Sequence, residues 1–172
     1  MRAKMIKLNI HSSFEDFCDN APEELQCYVD RCAQTPQSAT WHPEGDVKTH
    51  TRIVFNRAKK SKNFNLMIAA FFHDLGKADV TRKHPFKPDA WSAYGHEYVS
   101  AKLVEKYRDW IEEIGGDFEI VFYIVKEHMR AKLIDNMRPS KRAAVISHPY
   151  YSLMQIFNEC DNMQTLTLDE ID

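Results

Sequence analysis

The segment Ala70-Phe71-Phe72-His73-Asp74-Leu75-Gly76-Lys77 sets an imidazole and a carboxylate side by side at the end of an unbroken apolar run that begins at Leu66. The run is far shorter than the roughly 18 to 20 apolar residues of a membrane span, so it reads as a buried helix. The spacing predicts a helix from Asn65 to about Leu75, stopped by Gly76. On it, His73 shares a face with Leu66, Ala69 and Ala70, and Asp74 points roughly a quarter turn away. A buried imidazole or carboxylate costs free energy unless it is paired or coordinated.

Working outward, the same pattern returns. A helix from Asp46 to Lys60 sets His50 on a face with Val47, Ile53 and Val54. A long helix from about Ala93 to Ile114, stopped by Gly115-Gly116, sets His96 with Val99, Ser100 and Leu103. Asp117 caps a helix reaching about Met129, in which His128 lies with Val121, Ile124 and Val125. Pro139 and Pro149 each open a further helix; the last ends near Met163 and sets Asp161 with Met154 and Phe157. Toward the N-terminus, Ser12-Ser13 and Pro22 start two more, the second running to about Ala33. Thr35 to Gly45 and Lys77 to Asp89 read as loops, and the polar, acidic stretch from Gln164 to Asp172 is expected to fray.

The expected architecture is a single all-α domain of about seven helices around a metal site. Its parts are an N-terminal helical extension over 1–40, the metal-binding domain over 41–163 and an acidic tail over 164–172. Five glycines and seven prolines in 172 residues suit long helices better than a many-turned β-sandwich. A net charge of −2 gives no global reason for an obligate nucleic-acid partner. Cys18, Cys27, Cys32 and Cys160 form no C-x-x-C pair, and Met1 to Ile10 lacks a long apolar core. A reduced, cytoplasmic chain from a bacterium or a virus-infected cell is the expectation, without a membrane span.

One histidine on an apolar face is ordinarily a satisfied core residue. Inward-facing His or Asp residues on five helices can satisfy one another by meeting at a metal, as helical bundles do. His50, His73, Asp74, His96, His128 and Asp161 are four imidazoles and two carboxylates, more than one tetrahedral zinc needs. Such a set suits two divalent transition metals, without distinguishing Mn, Fe, Ni, Co or Zn, with Asp74 as the natural bridge.

The residues Ala70 to Lys77, with an upstream helical His50 and a downstream Asp161, resemble the signature of the HD-domain metal-dependent phosphohydrolases. The resemblance implies metal-binding roles for His50, His73, Asp74 and Asp161, with His96 and His128 added in two-metal members. The stretch Trp41-His42-Pro43-Glu44-Gly45-Asp46-Val47, continuing to Thr49-His50-Thr51, resembles the HD domain of some bacterial tRNA nucleotidyltransferases. That domain is associated with phosphatase, nucleotidase and 2′,3′-cyclic phosphodiesterase activity. The resemblance spans Trp41 to Asp161, and residues 1–40 lie outside it.

The expected function is hydrolysis of a phosphomonoester or phosphodiester of a nucleotide or short nucleic-acid fragment, with Asp74 and Lys77 catalytic. Two other classes stay open: an HD-fold di-iron oxygenase and a catalytically silent nucleotide-binding protein. Lys77, Arg82, Lys83, His84 and Lys132 are the candidate substrate contacts, each able to face a phosphate or simply to be solvated. Arg130, Arg138, Lys141 and Arg142 read as a solvated face, His11 and His148 as structural, and Glu44 and Asp46 as capping and turn residues.

Overall fold

A computed structural model describes residues 7–172; the expectation for Met1 to Ile10 therefore lies in part outside the described residues. The fold is helical. The central helix is α4 (Phe64–Phe72), in which every residue from Leu66 onward is buried. Around it pack α3 (Val47–Lys60), α6 (His96–Lys106), α8 (Phe118–Ala131) and α10 (Tyr151–Cys160). Each of these amphipathic helices turns its predicted stripe inward: Val47, Ile53 and Val54 in α3, Val121, Ile124 and Val125 in α8, Met154 and Phe157 in α10. Asp46 and Asp117 are N-caps, their carboxylates accepting from Thr49 N and from Glu119 and Ile120 N.

The helices α1 (Phe14–Asn20) and α2 (Glu23–Cys32) close the core from the other side. Ser13 and Asp16 form a reciprocal capping box at the start of α1. Phe14 and Phe17 then pack on Phe55 at ring-centroid distances of 5.7 and 4.9 Å and on Phe71 at 5.9 and 5.8 Å. The N-terminal segment thus shares one core with α3 and α4.

Two local expectations, for the helix over 93–114 and the loop after Lys77, need correction. The long helix over 93–114 is two, α6 and α7 (Arg108–Glu113), broken at Tyr107, whose φ of −104° and ψ of 25° leave the helical region. There the Tyr107 hydroxyl bonds Glu24 at 2.9 Å, and the turn sets Trp110 beside Phe71 and Phe72. The segment after Lys77 is not a bare loop. A short helix α5 (Lys77–Val80) leads into an antiparallel ribbon, β1 (Arg82–Lys83) and β2 (Trp91–Ser92), paired Arg82 to Ser92 and Lys83 to Trp91. With α9 (Pro139–Ile146), in which no residue is buried, the described residues hold ten α-helical segments, of which α1, α5 and α7 are seven residues or shorter.

The tail does not fray. It forms 3₁₀ turns over Met163–Thr165 and Leu168–Glu170, and Arg57 grips Glu170 bidentately at 2.7 and 2.8 Å. The Arg57 hydrogen bonds hold the Glu170 carboxyl down at about 2, against an ordinary 4.5. A depressed folded-state pKa contributes stability that is present above the unfolded value and lost as pH falls through the folded one. Wild type should therefore melt above Glu170→Gln at pH 6, with the gap closing between about pH 4.5 and 2. A gap in thermal midpoint that persists unchanged at pH 2 would contradict this.

Candidate metal centre

α4 ends at Phe72, and the next four residues form a tight turn: Leu75 N bonds Phe72 O at 3.2 Å and Lys77 N bonds Asp74 O at 3.0 Å. The turn carries His73 and Asp74 into the space bounded by α3, α6, α8 and α10. His50 lies in the first turn of α3, His96 opens α6, His128 lies in the last turn of α8, and Asp161 caps α10. All six side chains are buried.

Every histidine is held by its Nδ1. His73 meets Ala70 O at 2.8 Å, His96 meets Ala93 O at 2.8 Å and His128 meets Val125 O at 2.7 Å. A carbonyl oxygen only accepts, so Nδ1 carries the hydrogen and Nε2 is left as the free donor atom. His50 Nδ1 faces Glu44 Oε1 at 2.6 Å instead. The Nε2 atoms then converge in two pairs, His50 with His73 and His96 with His128, each 3.3 Å apart. Two nitrogen lone pairs that close repel unless a cation, proton or metal, sits between them.

Asp74 joins the pairs. Its Oδ2 is 3.3 Å from His50 Nε2 and 3.4 Å from His73 Nε2; its Oδ1 is 3.1 Å from His96 Nε2 and 3.8 Å from His128 Nε2. Asp161 Oδ1 completes the first group, 2.9 Å from His50 and 3.6 Å from His73. Two sets of three donors that could each hold an ion, His50-His73-Asp74 and Asp74-His96-His128, thus share one carboxylate. Asp74 Oδ1 is buried without a hydrogen bond of good geometry, as suits a carboxylate able to take a cation, whereas Asp161 Oδ2 already faces the Lys132 ammonium.

The electrostatics agree. Burial pushes the Asp74 carboxyl up, but His73, Lys77 and His96 outweigh it and hold the group well below its ordinary range. Burial acts likewise on Asp161, and Lys132, His50 and His73 outweigh it. Burial, with His73 and His96 nearby, holds the His128 imidazole well below its ordinary value and hence neutral, as a metal ligand must be.

Among the candidate substrate contacts, Lys77 and Lys132 reach the cluster. Lys77 Nζ lies 2.7 Å from Asp74 Oδ2 and 2.8 Å from Gln37 Oε1; Lys132 Nζ lies 2.5 Å from Asp161 Oδ2. Arg82 and Lys83 sit exposed on the ribbon, and His84 bonds within its tip, its ring accepting from Phe86 N at 3.2 Å. His148 stacks on Tyr123 at 3.8 Å, a structural place, and His11 offers only its carbonyl, to Lys59.

Sequence reasoning missed Glu44. It caps nothing: its buried carboxylate takes His50 Nδ1 and, at 3.0 Å, His42 Nδ1. Burial pushes this carboxyl up, but the hydrogen bonds from His42 and His50 prevail and lower it to about 2. No periodicity marks a loop residue, and the signal available was its place six residues before His50. A carboxylate behind a ligand histidine fixes the tautomer and ring orientation. Glu44→Ala should weaken metal binding by about 10- to 100-fold while leaving helical content unchanged. Metal titration checks this, and an unchanged affinity would remove Glu44 from the site.

The HD-domain family model matches residues 47–161, which run from the start of α3 to Asp161. The chain belongs to the HD-domain family. That membership places it in a superfamily of metal-dependent phosphohydrolases, whose HD domains bind divalent metals, and its His/Asp clusters can hold one. Among curated proteins it is similar to the multifunctional CCA protein of Vibrio cholerae, 24% identical over 142 residues, covering 81% of this chain and 32% of that protein. The multifunctional CCA protein of Janthinobacterium sp. is 30% identical over 137 residues, 74% of this chain and 31% of that protein. That of Herminiimonas arsenicoxydans is 45% identical over 73 residues, 41% of this chain and 16% of that protein. The HD-domain chain spans about a third of the length of the first two relatives. No solved structure matches it. Among its described residues, no helix is long and apolar enough to cross a membrane.

Proposed function

We propose that this chain is a two-metal phosphohydrolase acting on a phosphomonoester or phosphodiester of a nucleotide or short nucleic-acid fragment. The observation that carries the reading is Asp74, whose two oxygens each face a separate pair of imidazole Nε2 atoms. His50, His73 and Asp161 would hold one ion and His96 and His128 the other, with Asp74 placed to serve both. A divalent metal held there would supply Lewis acidity that lowers the pKa of a bound water toward neutrality.

The chain's own residues do the rest. Asp74 keeps the two donor groups in register. Lys77, anchored by Asp74 and Gln37, places a positive charge beside the cluster, where it neutralises charge growing on the phosphate oxygens. Lys132 serves the Asp161 side in the same way. His73 and His128 lie against the Phe157 ring at 5.4 and 6.2 Å, an apolar wall that excludes bulk water and strengthens these interactions. Donors buried among helices suit a small ester rather than a duplex. Four free cysteines fit a reducing, cytoplasmic compartment.

The test is a hydrolysis screen of nucleoside monophosphates and 2′,3′-cyclic nucleotides with Mn²⁺, Co²⁺, Ni²⁺, Zn²⁺ and Mg²⁺. Turnover is expected with at least one transition metal and should persist in excess duplex DNA. Tight nucleotide binding without turnover at full metal loading would replace the hydrolase by a binding protein. Oxygen-dependent turnover with an iron signal would replace it by an oxygenase.

A further inference from the structure

The described residues expose four large aromatic side chains: Trp41 at 68%, Phe86 at 89%, Tyr94 at 86% and Tyr98 at 59%. All four belong to segments attached to the metal centre. Trp41 precedes His42, whose ring stands edge-on to His50 at 4.8 Å. Tyr94 and Tyr98 lie two residues before and two after His96. Phe86 sits in the tip of the ribbon, between β1 and β2.

Both feet of that ribbon stand on Asp74. One is α5, opened by Lys77, whose ammonium meets Asp74 Oδ2 at 2.7 Å. The other is the start of α6, where His96 Nε2 meets Asp74 Oδ1 at 3.1 Å. From 81 to 95 the segment carries three cations, Arg82, Lys83 and Lys87, against one anion, Asp89, or +2 in a chain of net −2. None of the three cations forms an ion pair among the described residues; Lys83 instead lies 5.8 Å from the Trp91 ring centroid.

Free cations interleaved with aromatic rings that water, not protein, covers are the equipment of a single-strand binder. The cations track phosphates and the rings stack on unpaired bases. A duplex hides its base faces, and an acidic peptide has no use for the rings. We propose that the ribbon and its flanking aromatics form a docking arm for single-stranded nucleic acid, delivering a strand end to the metal centre. The arm thereby selects, within the function proposed above and resting on it, a short single-stranded fragment over a free mononucleotide.

The experiment uses the full, metal-loaded chain and a fluorescein-labelled single-stranded octanucleotide, followed by anisotropy. The single strand should bind at least tenfold tighter than the same sequence as a duplex. Phe86→Ala/Tyr94→Ala, which removes only exposed rings and should keep the wild-type circular dichroism, should lose at least tenfold of that affinity. Equal binding of single strand and duplex, equal binding of polyglutamate, or undiminished binding by the double variant overturns the arm. Hydrolysis of bis(p-nitrophenyl) phosphate, which offers no base, reports on the centre separately. If it proceeds while the octanucleotide fails to bind, the arm falls and the hydrolase stands. If the octanucleotide binds as expected and no ester is cleaved, the arm stands as a binding surface and the hydrolase falls.

Discussion

Asp74→Ala is expected to abolish phosphate-ester hydrolysis and to reduce bound metal from two ions per chain to one or none, with helical content unchanged. The effect is large because one side chain serves both halves of the centre: Oδ2 faces His50 and His73, Oδ1 faces His96 and His128. The substitution also releases Lys77, whose ammonium loses the carboxylate that anchors it. Loss of a group that merely supports a ligand typically costs about 10- to 100-fold, so loss of the shared ligand should exceed the upper figure. The fold should survive, because the residue lies in a turn after α4 and its removal empties no apolar core; the unpaired Lys77 ammonium left behind costs stability without unmaking the helices. Asp74→Asn, which keeps the shape and removes the charge, should fail as well. Turnover at the wild-type rate in either variant would refute hydrolysis at this site.

Gly76→Ala is expected to damage both stability and activity by adding a single methyl group. A Cβ at this position would stand 2.4 Å from His96 O, 2.8 Å from Ser100 N and 2.8 Å from Val99 Cβ. Two of these are backbone atoms of α6 and cannot rotate away. Gly76 N also donates to Ser100 Oγ at 2.9 Å, so the turn and the helix are locked at close approach. Relief requires α6 to move off, which carries His96 away from Asp74. Overpacking typically costs 1–3 kcal/mol, and a clash against backbone should reach about 3 or more. At about 2–4 °C per kcal/mol for a chain of this size, the thermal midpoint should fall by roughly 6 °C or more. Activity should fall further than stability explains, because the metal donors separate. A variant with an unchanged midpoint would show that α6 does not approach the turn this closely.

Gly76 also shows how far the sequence could be read. It was read as the stop of a helix reaching Leu75, but α4 ends at Phe72 and Gly76 stands at the start of α5. Its φ of −61° is ordinary, and the need for glycine comes from α6, which lies twenty residues on and leaves no local trace. The six inward His and Asp residues were legible because periodicity is a local property: a polar residue on an apolar stripe is visible wherever the helix is. Their pairing was not, because which Nε2 meets which depends on how five helices cross. Glu44 was invisible for a related reason, since a loop has no stripe against which a carboxylate looks out of place. The ribbon at 82–92 was read as a loop because two-residue strands carry no alternation, and the tail was expected to fray because its anchor, Arg57, lies more than a hundred residues away.

The central claim is that two ions share Asp74, and elemental analysis of the full chain after reloading with Mn²⁺ and dialysis tests it most directly. The account predicts two ions per chain in wild type and one in His96→Ala/His128→Ala, which leaves His50, His73, Asp74 and Asp161 in place. A folded wild-type chain that takes up no metal would contradict it.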